Sequence, residues 1–197
     1  MDSGEYLLSR HPRKVTVADA RLWIEQGDDE AKQNLADLIY HRLNHRYIEP
    51  ILQIPRTPVD YKSGFLIMAV SCLLIETLQS FFQGLRDIRN SSERAFENFF
   101  GREKQLFPGF ADKDVNFYKN IRCGILHQAE TTGGYRILRT GRMLDKKKKT
   151  INATKFIEAL DKRLKEYICE LRTTDFTDDL WRNATAKIKS ICDNCSC

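Results

Sequence analysis

Phe65-Leu66-Ile67-Met68-Ala69-Val70-Ser71-Cys72-Leu73-Leu74-Ile75-Glu76-Thr77-Leu78 is the stretch on which the fold turns. From Phe65 to Ile75 only Ser71 interrupts the apolar residues. The run is too short to span a bilayer, so it reads as a buried helix. The helical pattern extends from about Asp60 to Leu85. Its first half is hydrophobic nearly all round, as expected of the central helix of a core. Its second half opens a polar strip of Glu76, Gln79, Ser80 and Gln83, and Gly84 sits near its end. Glu76 interrupts the run. A carboxylate in such a place needs a partner, because burying it alone is costly.

Working outward toward the N-terminus, Pro50, Pro55 and Pro58 predict a linker ahead of this helix. Before the linker, Thr16-Val17-Ala18-Asp19 has the spacing of a capping box for a short helix from Asp19 to Gln26. Gly27 ends it, and Asp28-Asp29 start a second helix that runs to about Ile48. Leu35, Leu38, Ile39, Leu43 and Tyr47 keep the helical period there.

Toward the C-terminus, a helix from about Ser91 to Phe100 carries Phe96, Phe99 and Phe100. Pro108-Gly109 marks a turn. Asp112 or Asp114 then caps a helix running to about Glu130, which Gly133-Gly134 stops. Tyr135-Arg136-Ile137-Leu138 and the region around Thr150-Ile151 read as a small hairpin tipped by Asp145 and Lys146 to Lys149. A helix beginning near Ala153 places Phe156, Leu160, Leu164, Ile168 and Leu171 on one stripe. A last one, about Asp178 to Cys192, holds Trp181, Ile188 and Ile191. The fold class is therefore all-α, with a small β-hairpin inserted before the penultimate helix. One domain, 1–197, is expected: a core of about 60–172, with helices 16–48 and 178–192 packed on it.

A hydrophobic content of 42% and a charged content of 30% are those of a soluble globular protein. The net charge of +5 is compatible with a polyanionic partner without requiring one. The start, MDSGEYLLSRHPRK, has no apolar core behind its charges, so neither a signal peptide nor a membrane association is expected. The six cysteines form no disulfide framework, which points to a reducing, cytoplasmic setting. Cys192-x-x-Cys195-x-Cys197 lacks a fourth ligand nearby and reads as free thiols rather than zinc ligands. His41 and His45 lie at i,i+4 without the glutamate or third ligand of a zinc protease, and read as a surface pair. No phosphate loop, dinucleotide fingerprint or serine triad is present. No cofactor or metal is implied.

The chemistry-bearing segment is Asn120-Ile121-Arg122-Cys123-Gly124-Ile125-Leu126-His127-Gln128-Ala129-Glu130. It joins an obligate cation, Arg122, to His127, whose side chain type exchanges protons near neutrality. On a regular helix Tyr118, Ile125 and Ala129 centre the buried face, flanked by Ile121 and Leu126. His127 falls opposite, with Asn116, Asn120 and Cys123. Five steps of about 100° put Arg122 and His127 roughly 140° apart. One phosphate can meet both groups only if the arginine wraps round, the helix is interrupted near Gly124, or a second copy completes the site. The structural reading of the same residues pairs Arg122 with Glu76 and leaves His127 on the surface. Arg-x-x-x-x-His spacing alone is expected by chance in a chain with this many arginines.

The context of this segment resembles the HEPN superfamily, whose motif is Arg-x(4–6)-His. The likeness rests on Arg122 and His127 followed by Gln128-Ala129-Glu130 and a Gly-Gly turn. It extends to the central helix Leu73-Leu74-Ile75-Glu76-Thr77-Leu78, and to the hairpin followed by Ile151-Asn152-Ala153-Thr154-Lys155-Phe156. It covers about residues 60–172. The resemblance implies an up-and-down helical bundle, a homodimer with two Arg–His motifs in a shared cleft, and metal-independent RNA cleavage by the ribose 2′-hydroxyl. His127 would move a proton and Arg122 would hold the phosphate. Glu76, Asn120, Cys123 and Glu130 would support them. The setting would be phage defence, a toxin–antitoxin pair with an antitoxin or regulatory partner, or RNA processing. One position departs from the pattern: Cys123 stands where active members often carry a polar Asn, Asp or His. That residue favours a second reading, a catalytically inactive HEPN-like dimer that binds RNA, nucleotides or protein. A third reading is a plain helical assembly protein. Lys146, Lys147, Lys148 and Lys149 are the candidate RNA-backbone contacts, with Tyr135, Arg136, Arg139 and Arg142 nearby in sequence.

Overall fold

Thr16 and Asp19 close the capping box that the sequence announces. The Thr16 hydroxyl accepts from the Asp19 amide at 3.1 Å, and the Asp19 carboxylate accepts from the Thr16 amide at 2.8 Å. Helix α1 (Val17–Gln26) follows, and Gly27 ends it in the left-handed conformation at φ 61°. The structure, a computed structural model, describes residues 6–10, 12–55, 63–88 and 91–195. The expected helix start at Asp60, Pro58 and Cys197 lie outside the described residues.

The chain forms two compact units. The first comprises Met1–Arg46, Ser80–Ile88 and Leu164–Cys197. In it β1 (Leu7–Ser9) pairs antiparallel with β2 (Val15–Thr16), a small strand pair that the sequence reading did not anticipate. Helix α1 packs on α2 (Asp29–Leu43) and on α8 (Asp179–Asn194). Trp181 of α8 is fully buried, and its indole N–H donates to the Leu171 carbonyl at 2.8 Å.

The second expected helix does not run unbroken to Ile48. After Leu43 it widens into a π turn, Asn44–Ile48, and continues as α3 (Glu49–Leu52). Pro50 therefore starts no linker. It occupies the first turn of α3, where a missing N–H leaves no helical bond unmade.

The second unit comprises Tyr47–Gln79 and Arg89–Arg163. Helix α4 (Gly64–Gln83) carries Ile67, Met68, Cys72, Leu74, Ile75 and Leu78 inward. It is long and apolar enough to cross a membrane by composition, yet 61% of its most apolar window is buried in the protein, as in a core helix. It is not buried all round. Leu66 and Leu73 are 54% and 40% exposed, with half-buried Ala69, Val70, Glu76 and Thr77 on the same face.

Helix α5 (Ser92–Arg102) adds Phe96, Phe99 and Phe100 to an aromatic cluster with Phe107, Phe110, Phe117 and Phe156. Phe117 stacks on Phe156 at 5.4 Å and on Phe96 at 5.7 Å between centroids. The segment that follows Phe117 is thereby fixed at its start. A buried ion pair, Arg163 to Glu103 at 2.7 Å, lies in the same unit.

The expected sheet precedes α7 (Ala153–Thr173), but it is not a hairpin of the two predicted strands. β3 (Arg136–Leu138) runs parallel to β5 (Thr150–Asn152). The hairpin is made by β4 (Leu144–Asp145) with β5, giving the order β3-β5-β4. Helix α7 buries the predicted stripe Phe156, Leu160, Leu164, Ile168 and Leu171. The protein is thus helical with a small sheet element.

Candidate functional site

The Arg–His segment is not a single regular helix. Neither Asp112 nor Asp114 caps it; both carboxylates face Lys146 instead, Asp114 at 3.4 Å and Asp112 closer. Helical backbone begins after Phe117 as a π turn, Tyr118–Cys123, and passes into α6 (Gly124–Gln128). A π turn closes on i+5 rather than i+4, so it shifts the facing of every later residue. The buried face becomes Phe117, Ile121, Gly124 and Ile125, while Leu126 and Ala129, expected inside, are exposed. Ala129, left-handed at φ 55°, ends the helix before Gly133-Gly134 is reached.

The two motif residues meet within one chain. Arg122 Nη1 lies 3.3 Å from His127 Nε2. A guanidinium only donates, so a hydrogen bond between them uses Nε2 as the acceptor. Arg122 Nε donates to Glu76 Oε1 at 2.9 Å, and the two side chains are 16% and 23% exposed. Beneath the guanidinium, the Tyr118 ring lies 5.6 Å from Cζ, close enough for a cation–π contact. Burial works against the Arg122 charge, but the Glu76 carboxylate outweighs it, with Tyr118 and Cys123 adding to it, and the guanidinium is held above its usual range. Glu76 thus does what a carboxylate in an apolar run requires: it is paired, and it fixes the arginine.

Buried Cys72 and half-buried Cys123 adjoin the cluster. Burial, then a hydrogen bond with Cys123, pushes the Tyr118 hydroxyl up. Burial, and then the nearby Glu76, pushes the fully buried Cys72 thiol far up, so it stays a thiol. Tyr118 and Cys72 are the members that sequence reading missed. Regular-helix spacing places Tyr118 on the core face, although its i,i+4 spacing to Arg122 signals the contact. Cys72 stands four residues before Glu76, one helical turn away.

The remaining candidates separate from the pair. Asn120 fastens the backbone: its amide donates to the Val115 carbonyl at 2.9 Å, and its oxygen accepts from Thr132 at 3.1 Å. Glu130 lies beyond α6 and accepts from the Thr131 amide at 2.8 Å. Its own amide turns back to the Gly124 carbonyl at 3.3 Å. A Cβ on residue 124 would collide with the Glu130 carbonyl oxygen, so only glycine admits this return loop.

Of the basic run, Lys146 is tied to Asp112 and Asp114, and Lys149 donates to the Gly133 carbonyl at 2.7 Å. Asp112 and Asp114 hold the Lys146 ammonium above its ordinary range. Lys147 and Lys148 are exposed at the hairpin tip. Tyr135 is buried and Arg139 bonds Ile54, Pro55, Ser63 and Thr154, so neither extends the patch.

Among the described residues no group of three or more His, Cys, Asp or Glu converges as metal ligands do. Cys192 is buried in α8, and Cys195 follows that helix. No protein-family model, curated protein or solved structure matches this chain.

Proposed function

We propose that the chain is a metal-independent endoribonuclease of HEPN type. The observation that carries this reading is the 3.3 Å approach of Arg122 to His127 on a surface-reaching turn, with the arginine held from behind by Glu76. An exposed imidazole whose Nε2 faces the incoming substrate supplies a general base. A guanidinium anchored by one edge presents its other edge, Nη1 and Nη2, to an anion. A phosphodiester arriving there draws Nη1 off the imidazole and frees Nε2. The 2′-hydroxyl then gives its proton to His127 as its oxygen bonds to phosphorus. The bond from phosphorus to the 5′-oxygen breaks, and that oxygen takes the proton that His127 accepted, which restores the imidazole. Arg122 stabilises the added charge on the phosphoryl oxygens. The products are a 2′,3′-cyclic phosphate and a 5′-hydroxyl.

A homodimer completes this reading. The exposed face of α4, Leu66-Ala69-Val70-Leu73, is an apolar stripe that ends at Glu76. A second copy lying along it would cover the leucines and bring a second Arg–His pair to the first. Lys147 and Lys148 would touch the RNA backbone without reading sequence. The setting is cytoplasmic, in phage defence or a toxin–antitoxin pair with a regulatory protein.

Arg122→Ala and His127→Ala each abolish cleavage of single-stranded RNA, and EDTA leaves the wild type active. Cleavage that survives in both variants refutes the proposal. Cys123 supports the second reading, an inactive RNA-, nucleotide- or protein-binding dimer, because its thiol is a weak hydrogen-bonder beside the guanidinium. If the wild type binds RNA without cutting it and Cys123→Asn gains cleavage, the second reading replaces the first.

A further inference from the structure

The second unit holds a cleft of about 520 Å³. One face of α5 forms its first wall. Glu93, Phe96, Glu97, Phe100 and Gly101 fall on that face at helical spacing, and Lys104 follows just past the helix end. The chain from Phe110 to Tyr118 forms the other wall. Phe96, Phe100, Phe110 and Phe117 close the floor and are almost fully covered, so they make it rigid without offering faces. Ring contacts give the cleft a direction. Phe100 meets Phe110 at 5.4 Å between centroids, whereas Phe96 meets Tyr118 at 5.7 Å. The end with Glu93 and Glu97 is therefore the Tyr118 end, and Lys104 marks the other.

Tyr118 is the wall that this cleft shares with the Arg122 site. Its ring lies 5.6 Å from Arg122 Cζ, and the half-buried side chain also lines the cleft. A phosphate held at Arg122 therefore stands one aromatic ring from the acidic end of the cleft. Glu93 and Glu97 are exposed, lie one helical turn apart and form no ion pair among the described residues. Asp112, by contrast, is bound to Lys146. Bare carboxylates repel a phosphate and accept from N–H groups. The Watson–Crick edge of guanine presents two neighbouring donors, N1–H and N2–H, which one carboxylate takes together. Adenine and cytosine present one amino group there, and uracil one N–H between two carbonyl oxygens.

We propose that the acidic end of this cleft receives a base of single-stranded RNA next to the phosphate at Arg122, and that Glu93 and Glu97 make guanine the preferred base. The proposal rests on the ribonuclease reading for the identity of its ligand. The cleft is within the size range of small-molecule pockets, and Tyr118 adds aromatic surface for the base. Exposed Lys104 and Lys113 line the same cleft and suit a neighbouring phosphate.

Fluorescence anisotropy with 2′-O-methyl oligouridylates tests it on the full chain, because these strands bind without being cut. A strand with one central guanine binds about fivefold tighter, or more, than the all-uracil strand. Glu93→Ala and Glu97→Ala each lower that ratio toward one. The ratio is the readout, since losing a carboxylate raises the affinity of any polyanion. Gly101→Phe removes the preference as well: a Cβ there meets nothing within 4 Å, and a helical side chain leans toward the N-terminus, over the Glu97 position. Circular dichroism checks that each variant folds. Equal binding of the two strands by the wild type, or none, overturns the proposal, as does a guanine preference that survives in all three variants. Guanosine monophosphate binding as tightly as the guanine strand overturns it too, because the ligand is then a free nucleotide. Guanine preference lost in the variants supports the cleft even where ordinary RNA stays uncut, a result that refutes only the ribonuclease reading. Cleavage with no base preference in binding refutes only the cleft.

Discussion

Glu76 shows how one residue joins stability to chemistry. Its carboxylate is the only charge in the apolar run from Phe65 to Leu78, and it holds Arg122 at 2.9 Å. Removing it leaves a largely buried guanidinium without its carboxylate partner. Glu76→Ala should therefore lower stability by about 1–3 kcal/mol, read from urea unfolding, and should reduce cleavage as the arginine loses its fixed edge. In an Arg122→Ala background the same substitution should have a smaller effect on stability. Equal effects in both backgrounds would show that the ion pair is not what Glu76 contributes. This partnership was legible in the sequence, because a lone carboxylate in an apolar helix demands a counter-ion. Tyr118 and Cys72 were not, because an aromatic ring and a thiol in apolar patterns read as core.

At the scale of the element, the decisive feature is the π turn Tyr118–Cys123 feeding α6. A regular helix holds Arg122 and His127 on different sides, whereas here the π turn precedes Gly124 and Arg122 Nη1 reaches to 3.3 Å from His127 Nε2. Its cause lies on both sides of the turn. Phe117 is locked between Phe96 and Phe156 upstream, and downstream the Glu130 and Thr132 amides fold back onto the Gly124 and Asn120 carbonyls. Periodicity cannot reveal such a turn, since its residues are ordinary helix formers and its cause is tertiary. Gly124→Ala should be destabilising by about 1–3 kcal/mol despite alanine's better helix propensity, and should impair cleavage by displacing the return loop. A stabilised Gly124→Ala variant in thermal unfolding would mean that the loop does not fold back as described. The parallel β3–β5 pairing also escaped the sequence: neighbouring strand patterns predict a hairpin by default, whereas here β4 takes the antiparallel place beside β5.

For the whole molecule, composition and periodicity made the helical class legible, together with the stripe of α7 and the small sheet ahead of it. The exposed face of α4 was not legible, because an all-round apolar helix looks the same whether its last face meets its own chain or another copy. Leu73→Glu tests the second alternative. It places a charge at a position already 40% exposed, so the fold should survive, while light scattering should report a monomer and cleavage should fall. A dimer unaffected by Leu73→Glu would move the interface elsewhere. The central claim is that Arg122 and His127 perform 2′-hydroxyl chemistry, and the most direct measurement is mass spectrometry of the RNA ends formed in EDTA. The wild type should leave 2′,3′-cyclic phosphate and 5′-hydroxyl ends, and an RNA with 2′-deoxy sugars at the cleaved positions should remain intact. Fragments with 5′-phosphate ends, or cleavage of the 2′-deoxy substrate, would contradict the account.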